Sequence, residues 1–156
     1  MKKTMTVFGA GHKIAAVTFP FLGGTLAAGY LRHELFTFGA LPASLLIGTG
    51  CGLIVLGLAV NFTAAVMMMR SFAAKRLQTS GPYAISRNPM YASFLLLTLP
   101  GMALVLNNWT ILGVTVVLYA ATTRFVREEE RWLEEQFGAE WIEYTSRVGR
   151  ILPRLF

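Results

Sequence analysis

Gly81-Pro82-Tyr83-Ala84-Ile85-Ser86-Arg87-Asn88-Pro89-Met90-Tyr91 separates two apolar runs, residues 44–69 and 89–106. Each proline fixes its own φ and pushes the residue before it, Gly81 or Asn88, towards extended backbone. The connector is therefore shaped, and it carries Arg87 and Asn88 straight into the start of the next apolar run. Fixed geometry and hydrogen-bonding capacity at the edge of an apolar segment mark it as a candidate site.

The surroundings are those of a membrane protein. Of 156 residues, 54% are hydrophobic and only 14% charged, with mean hydropathy +0.54; soluble domains carry about 25% charged residues. Four segments, about 14–31, 44–69, 89–106 and 109–123, approach the roughly 20 apolar residues that a crossing needs. The first is interrupted by Pro20 and Gly23-Gly24. The second contains Gly48-x-Gly50-x-Gly52, with no strand before it, so the glycines read as close helix packing and not as a nucleotide fingerprint. Asn61, a polar residue within that run, is expected to face the protein interior. Asn107 and Asn108 alone separate the third and fourth segments, which predicts a tight helical hairpin.

The net charge of +6 does not point to nucleic acid, because the lysines and arginines flank the apolar runs. Their distribution follows the positive-inside rule. Lys2, Lys3 and Lys13 precede the first segment, Arg70, Lys75, Arg76 and Arg87 follow the second, and six arginines follow the fourth. Both termini and the 70–91 loop are therefore expected on the cytoplasmic side. The first run lacks a small-x-small cleavage pattern and is read as a retained span. A lone cysteine, Cys51, excludes an internal disulfide, and His12 and His33 have no partners at metal-ligand spacing, so no metal is expected.

Residues 124–156 are of a different kind. The fourth segment continues as an amphipathic helix to about Phe137, where Gly138 is expected to cap it. A short helix over about 139–147 follows, and Pro153 is expected to end the ordered part. Of eight acidic residues, all glutamates, seven fall between 128 and 143. Most read as a solvated face with helical ion pairs to Arg127 and Arg131. At 100° per residue, Phe125, Val126, Trp132, Leu133 and Phe137 define an apolar face with Glu129 near its centre and Glu130 at its border. Glu128, Glu134 and Glu135 point away. A carboxylate on a buried face needs a partner or a task, and Arg87 or a cationic ligand would serve.

These residues resemble a known family. Gly81-Pro82-Tyr83, Arg87-Asn88-Pro89-Met90-Tyr91, Glu129-Glu130-x-x-Leu133 and Phe137-Gly138-x-x-Trp141-x-x-Tyr144 are similar to the isoprenylcysteine carboxyl methyltransferases, to which the phospholipid N-methyltransferases are related. The resemblance covers roughly residues 68–153. It implies an all-α integral membrane bundle of about four transmembrane helices with C-terminal cytoplasmic amphipathic helices. The implied cofactor is S-adenosyl-L-methionine, held by Tyr83, Asn88, Pro89 and Tyr91 with Glu129 opposite, and with Met90 and Glu130 adjoining. Lys75-Arg76-Leu77-Gln78 matches a further cofactor-contacting stretch. The family frequently has His at the position of Asn88, and asparagine does not titrate near neutral pH. A substrate-contacting arginine of eukaryotic members aligns on Phe125, one residue from Arg124, so Arg124 and Arg87 are the candidate anchors of an anionic acceptor.

Methyl transfer needs alignment more than a base when the acceptor is an ionised carboxylate. The chain has no Asp and no His near the loop, which favours such an acceptor over an amine or thiol. Apolar spans would admit a lipophilic or lipid-tailed acceptor from the bilayer, with membrane lipids as the remaining partners. A prokaryotic inner membrane is the expected location. A phospholipid or small-thiol methyltransferase, an NADPH-dependent reductase of the sterol type and a non-catalytic membrane subunit remain open.

Overall fold

The computed structural model describes residues 10–39 and 41–152; the expectations resting on Lys2, Lys3, Pro153 and Arg154 lie outside them. Its elements are α1 (Gly11–Leu31), α2 (His33–Phe36), α3 (Ala43–Ala73), α4 (Pro89–Ser93), α5 (Leu99–Val105), α6 (Ile111–Phe137) and α7 (Ala139–Arg147). A 3₁₀ turn, Gly81–Ala84, opens the connector, and one π-helical turn, Phe94–Thr98, joins α4 to α5. Among the described residues the only β pairing is an isolated parallel bridge between Ser86 and Gly149. The described residues fold as an all-helical bundle in which α1 and α3 are long and apolar enough to cross a bilayer.

Pro20 and Gly23-Gly24 do not interrupt α1, which runs unbroken for 21 residues. Spanning helices tolerate such residues because their neighbours re-satisfy the freed backbone groups. The π turn has a local cause. Pro100 has no N–H to give, and its ring would collide with the carbonyl of Leu96 in a regular α-helix, so the helix widens just before it.

α3 packs along α4, the π turn and α5, while α1 lies against α6. Close approach is glycine-dependent at one crossing: a Cβ on Gly50 would sit 2.7 Å from the Gly101 carbonyl oxygen. Of the three glycines expected to pack, only Gly50 does so, because Gly48 and Gly52 face open space. Asn61 turns inward as expected, donating to the Met90 carbonyl at 3.3 Å and to Ser93 Oγ at 3.4 Å.

Between α5 and α6, Asn107 takes φ 46° and sends the chain back on itself. The Asn108 N–H returns to the Ala103 carbonyl, five residues back, which satisfies an orphan carbonyl at the helix end. Lys75 plays the same part after α3, with φ 52° and the Arg76 N–H on the Ser71 carbonyl. α6 then continues from apolar to charged sequence without a break until Gly138, whose φ is 49°.

The apolar face of α6 serves two clusters. Phe125 and Val126 join the main core with Ile14, Leu95, Ile111, Val114 and Leu118. Leu133 and Phe137 pack with Leu77 against Trp141, Tyr144 and Val148. The second cluster fixes α7 and the segment beyond it beneath the 81–91 connector.

Candidate functional site

The connector is strapped to the C-terminal segment. Tyr144 Oη donates to the Tyr83 carbonyl at 2.7 Å, and Tyr83 Oη donates to the Ala64 carbonyl of α3 at 3.3 Å. The Arg87 N–H donates to the Gly149 carbonyl at 2.9 Å, and Asn88 Nδ2 donates to the Arg150 carbonyl at 2.9 Å. Ser86 Oγ accepts from the Asn88 N–H, which turns the chain into Pro89 at the start of α4. Burial pushes the Tyr83 phenol up to about 12, and the nearby Glu129 charge acts in the same sense. Burial also raises Tyr144, so both phenols remain donors at neutral pH.

Two arginines close on Glu130. Arg87 Nη1 lies 2.9 Å from its Oε1, and Arg150 Nε donates to both carboxylate oxygens at 3.0 and 2.9 Å. The Arg87 guanidinium also stacks 5.8 Å above the Trp141 ring. The Glu130 carboxylate holds the Arg150 guanidinium above its ordinary pKa. This corrects three expectations. Glu130, and not Glu129, is the more deeply buried carboxylate and the partner of Arg87. Its ion pairs run to the connector and the C-terminal segment instead of to Arg127 and Arg131 on its own helix. Glu128, expected to point away, meets Lys13 of α1 at 2.9 Å. Which neighbour covers each glutamate depends on α1 and on residues 148–151.

Glu129 is left with a different environment. Its carboxylate accepts a hydrogen bond from the Ala10 N–H at the start of α1. No side-chain cation pairs with it among the described residues. A free N–H at a helix N-terminus suits a carboxylate, but it is only a partial charge. Burial raises the Glu129 carboxyl above its ordinary pKa; the Ala10 N–H opposes this and the neighbouring Glu130 adds to it. Tyr91 comes to the same place, its hydroxyl 3.5 Å from where a Cβ on Gly11 would stand. A part-buried carboxylate with tyrosines around it and no cation paired with it among the described residues fits a ligand carrying positive charge.

The remaining sequence candidates divide. Pro89 is buried at the head of α4, and the Met90 carbonyl receives the Asn61 amide. Leu77 belongs to the Trp141 cluster, and Gln78 ties the loop through Ser71 and Ser80. Lys75 and Arg76 are exposed, and Arg124 is exposed with its guanidinium 5.9 Å above the Phe125 ring. Those three are not drawn into the cluster. Sequence reasoning missed Ala10, Gly149 and Arg150. Arg150 did carry a signal, a single charge inside Val148-Gly149-Arg150-Ile151-Leu152.

The family model for phospholipid methyltransferases matches residues 40–140. The chain is 31% identical over 150 residues to protein-S-isoprenylcysteine O-methyltransferase of Saccharomyces cerevisiae, covering 90% of this chain and 62% of that one. It is 28% identical over 113 residues to protein-S-isoprenylcysteine O-methyltransferase B of Arabidopsis thaliana, covering 67% of this chain and 57% of that one. The chain thus spans about three-fifths of the length of these relatives. With the connector, the Glu129-Glu130 pair and the matched region coinciding, the chain belongs to the phospholipid methyltransferase family, among its isoprenylcysteine carboxyl methyltransferases.

Proposed function

We propose that this chain is a membrane methyltransferase that uses S-adenosyl-L-methionine and methylates a lipophilic acceptor, a carboxylate on an isoprenylcysteine-like group. The observation that carries the reading is Glu129, a part-buried carboxylate beside the connector whose one hydrogen-bond partner among the described residues is a backbone N–H. Family membership speaks for a methyl donor over NADPH, and for catalysis over a purely structural subunit.

When bound, S-adenosyl-L-methionine supplies an electrophilic methyl group on a sulfonium centre. Glu129 would meet the cofactor's positive charge, with Tyr83, Asn88, Pro89, Met90 and Tyr91 forming the wall from the connector side. Glu130 and Arg87 act through each other: their ion pair holds the connector on α6, so both are positioning residues. Lys75, Arg76, Leu77 and Gln78 would border the site from the end of α3. Arg124, exposed where α6 passes from apolar to charged sequence, is available to anchor the acceptor carboxylate. An acceptor ionised at neutral pH asks for orientation and no base.

In this reading α4, the π turn and α5 make a third crossing, and the first half of α6, residues 111–123, a fourth. The 70–91 loop and both termini then lie in the cytoplasm. Methyl transfer from labelled S-adenosyl-L-methionine to an S-farnesylcysteine derivative tests the acceptor class. The expected product releases its label as volatile methanol in mild base, as an ester does. Base-stable label on a phospholipid amine would replace the carboxylate by a headgroup acceptor.

A further inference from the structure

The face of α6 turned away from Glu129 carries a second feature. An open cavity of about 310 Å³ is lined by Arg87, Arg127, Arg131 and Arg150 together with Glu130 and Glu134. Four guanidinium groups against two carboxylates leave an excess of positive charge. Glu130 already holds Arg87 and Arg150. Arg127 and Arg131 make no ion pair among the described residues, are exposed, and stand four residues apart on one helical face. Like charges at that spacing repel, unless an anion lies between them. At 100° per residue they sit about 160° around α6 from Glu129, so this cavity does not open on the Glu129 carboxylate.

A second cavity, of about 230 Å³, shares Arg150 with the first and is lined by Tyr119, Thr123, Ile151 and Leu152. Tyr119, Thr123, Arg127 and Arg131 follow one another at four-residue steps, a ridge that winds by about 40° per step, so the two cavities adjoin along α6. That ridge passes from the apolar half of the helix to its charged half. Tyr119 and Leu152 are exposed along it.

The geometry points to a binding site for an anionic membrane lipid on this face, its phosphate bridging Arg127 and Arg131 beside Arg150 and its chain lying along Tyr119 and Leu152. Phosphate recognition by guanidinium groups would be common to a lipid headgroup and a soluble phosphate. The continuation onto the apolar half of α6 commits the site to the lipid. The inference does not rest on the methyltransferase reading.

The test is native mass spectrometry of the full chain released from micelles containing phosphatidylglycerol or phosphatidylcholine. The wild type is expected to retain phosphatidylglycerol selectively, and R127Q/R131Q to lose about thirty-fold of that affinity. R70Q/R147Q removes as many exposed charges elsewhere and is expected to bind within about twofold of wild type. Equal loss in both double variants would reduce the effect to general surface charge and overturn the site. So would retention of both lipids alike by the wild type. Displacement of phosphatidylglycerol by millimolar inorganic phosphate would overturn the lipid assignment in favour of a soluble anion.

Discussion

Glu128, Glu129 and Glu130 are consecutive, yet each answers to a different physical situation. Glu130 is enclosed by two guanidinium groups, and removing its charge would take the carboxylate from both partly buried cations. Glu130→Gln should cost about 3 kcal/mol, read as a lowered midpoint in thermal unfolding of the detergent-solubilised protein. Glu128 pairs with Lys13 in the open, and Glu128→Gln should change stability by less than about 0.5 kcal/mol. Glu129 should behave in the opposite sense to Glu130. Its folded-state pKa lies above its ordinary value, so the fold favours its protonated form. The stability it contributes is complete below the ordinary glutamate range and is lost as pH rises through the raised folded value. At neutral pH its charge is therefore a cost, and Glu129→Gln should unfold at a higher temperature than wild type, with the advantage vanishing in acid. A lower midpoint at neutral pH would show that the carboxylate is compensated after all. Cofactor affinity should fall as Glu129 becomes protonated, beginning at a higher pH than for an exposed glutamate.

Helices were the most legible elements. Proline-fixed backbone marked the connector, although Gly81, expected extended before Pro82, takes φ 62°; Gly138 marked the end of α6, and the Asn107-Asn108 pair marked the α5–α6 turn. Each signal is local, being a φ restriction or a positive φ, and needs no knowledge of neighbours. The glycine run in α3 shows where local reading stops. Gly48, Gly50 and Gly52 look equivalent in sequence, but α5 crosses at only one of them. Gly50→Leu should destabilise the bundle by about 1–3 kcal/mol, because its side chain would drive into the Gly101 backbone. A Cβ on Gly48 would meet no atom within 4 Å, so Gly48→Leu should be near neutral in the same unfolding measurement. Matching effects of the two would remove the crossing as the reason for the glycine.

At the scale of the molecule, the membrane bundle and the candidate connector could be read from composition, charge distribution and proline placement. The strap that completes the site could not. Gly149 and Arg150 lie beyond the last helix, where no periodicity reports on burial, and their partners are more than sixty residues away at Ser86, Arg87 and Asn88. Ala10 reaches Glu129 from the opposite end of the described chain. Such pairings are set by how the helices pack, and one sequence records the packing only indirectly. The orientation is a property of this scale as well. With Cys51 replaced by Ala, Ser80→Cys should react with a membrane-impermeant maleimide only in inverted vesicles; reaction in intact cells would reverse the topology.

Among the described residues Glu129 has no side-chain cation, and in the proposed function a cationic cofactor supplies one. Calorimetric titration of the detergent-purified protein with S-adenosylhomocysteine, beside Glu129→Ala, tests it most directly, since the amino group of this product still carries positive charge. The expected result is saturable binding to the wild type and none to a folded Glu129→Ala. Undiminished binding by the variant would remove Glu129 from the site, and no binding to folded wild type would contradict the cofactor itself.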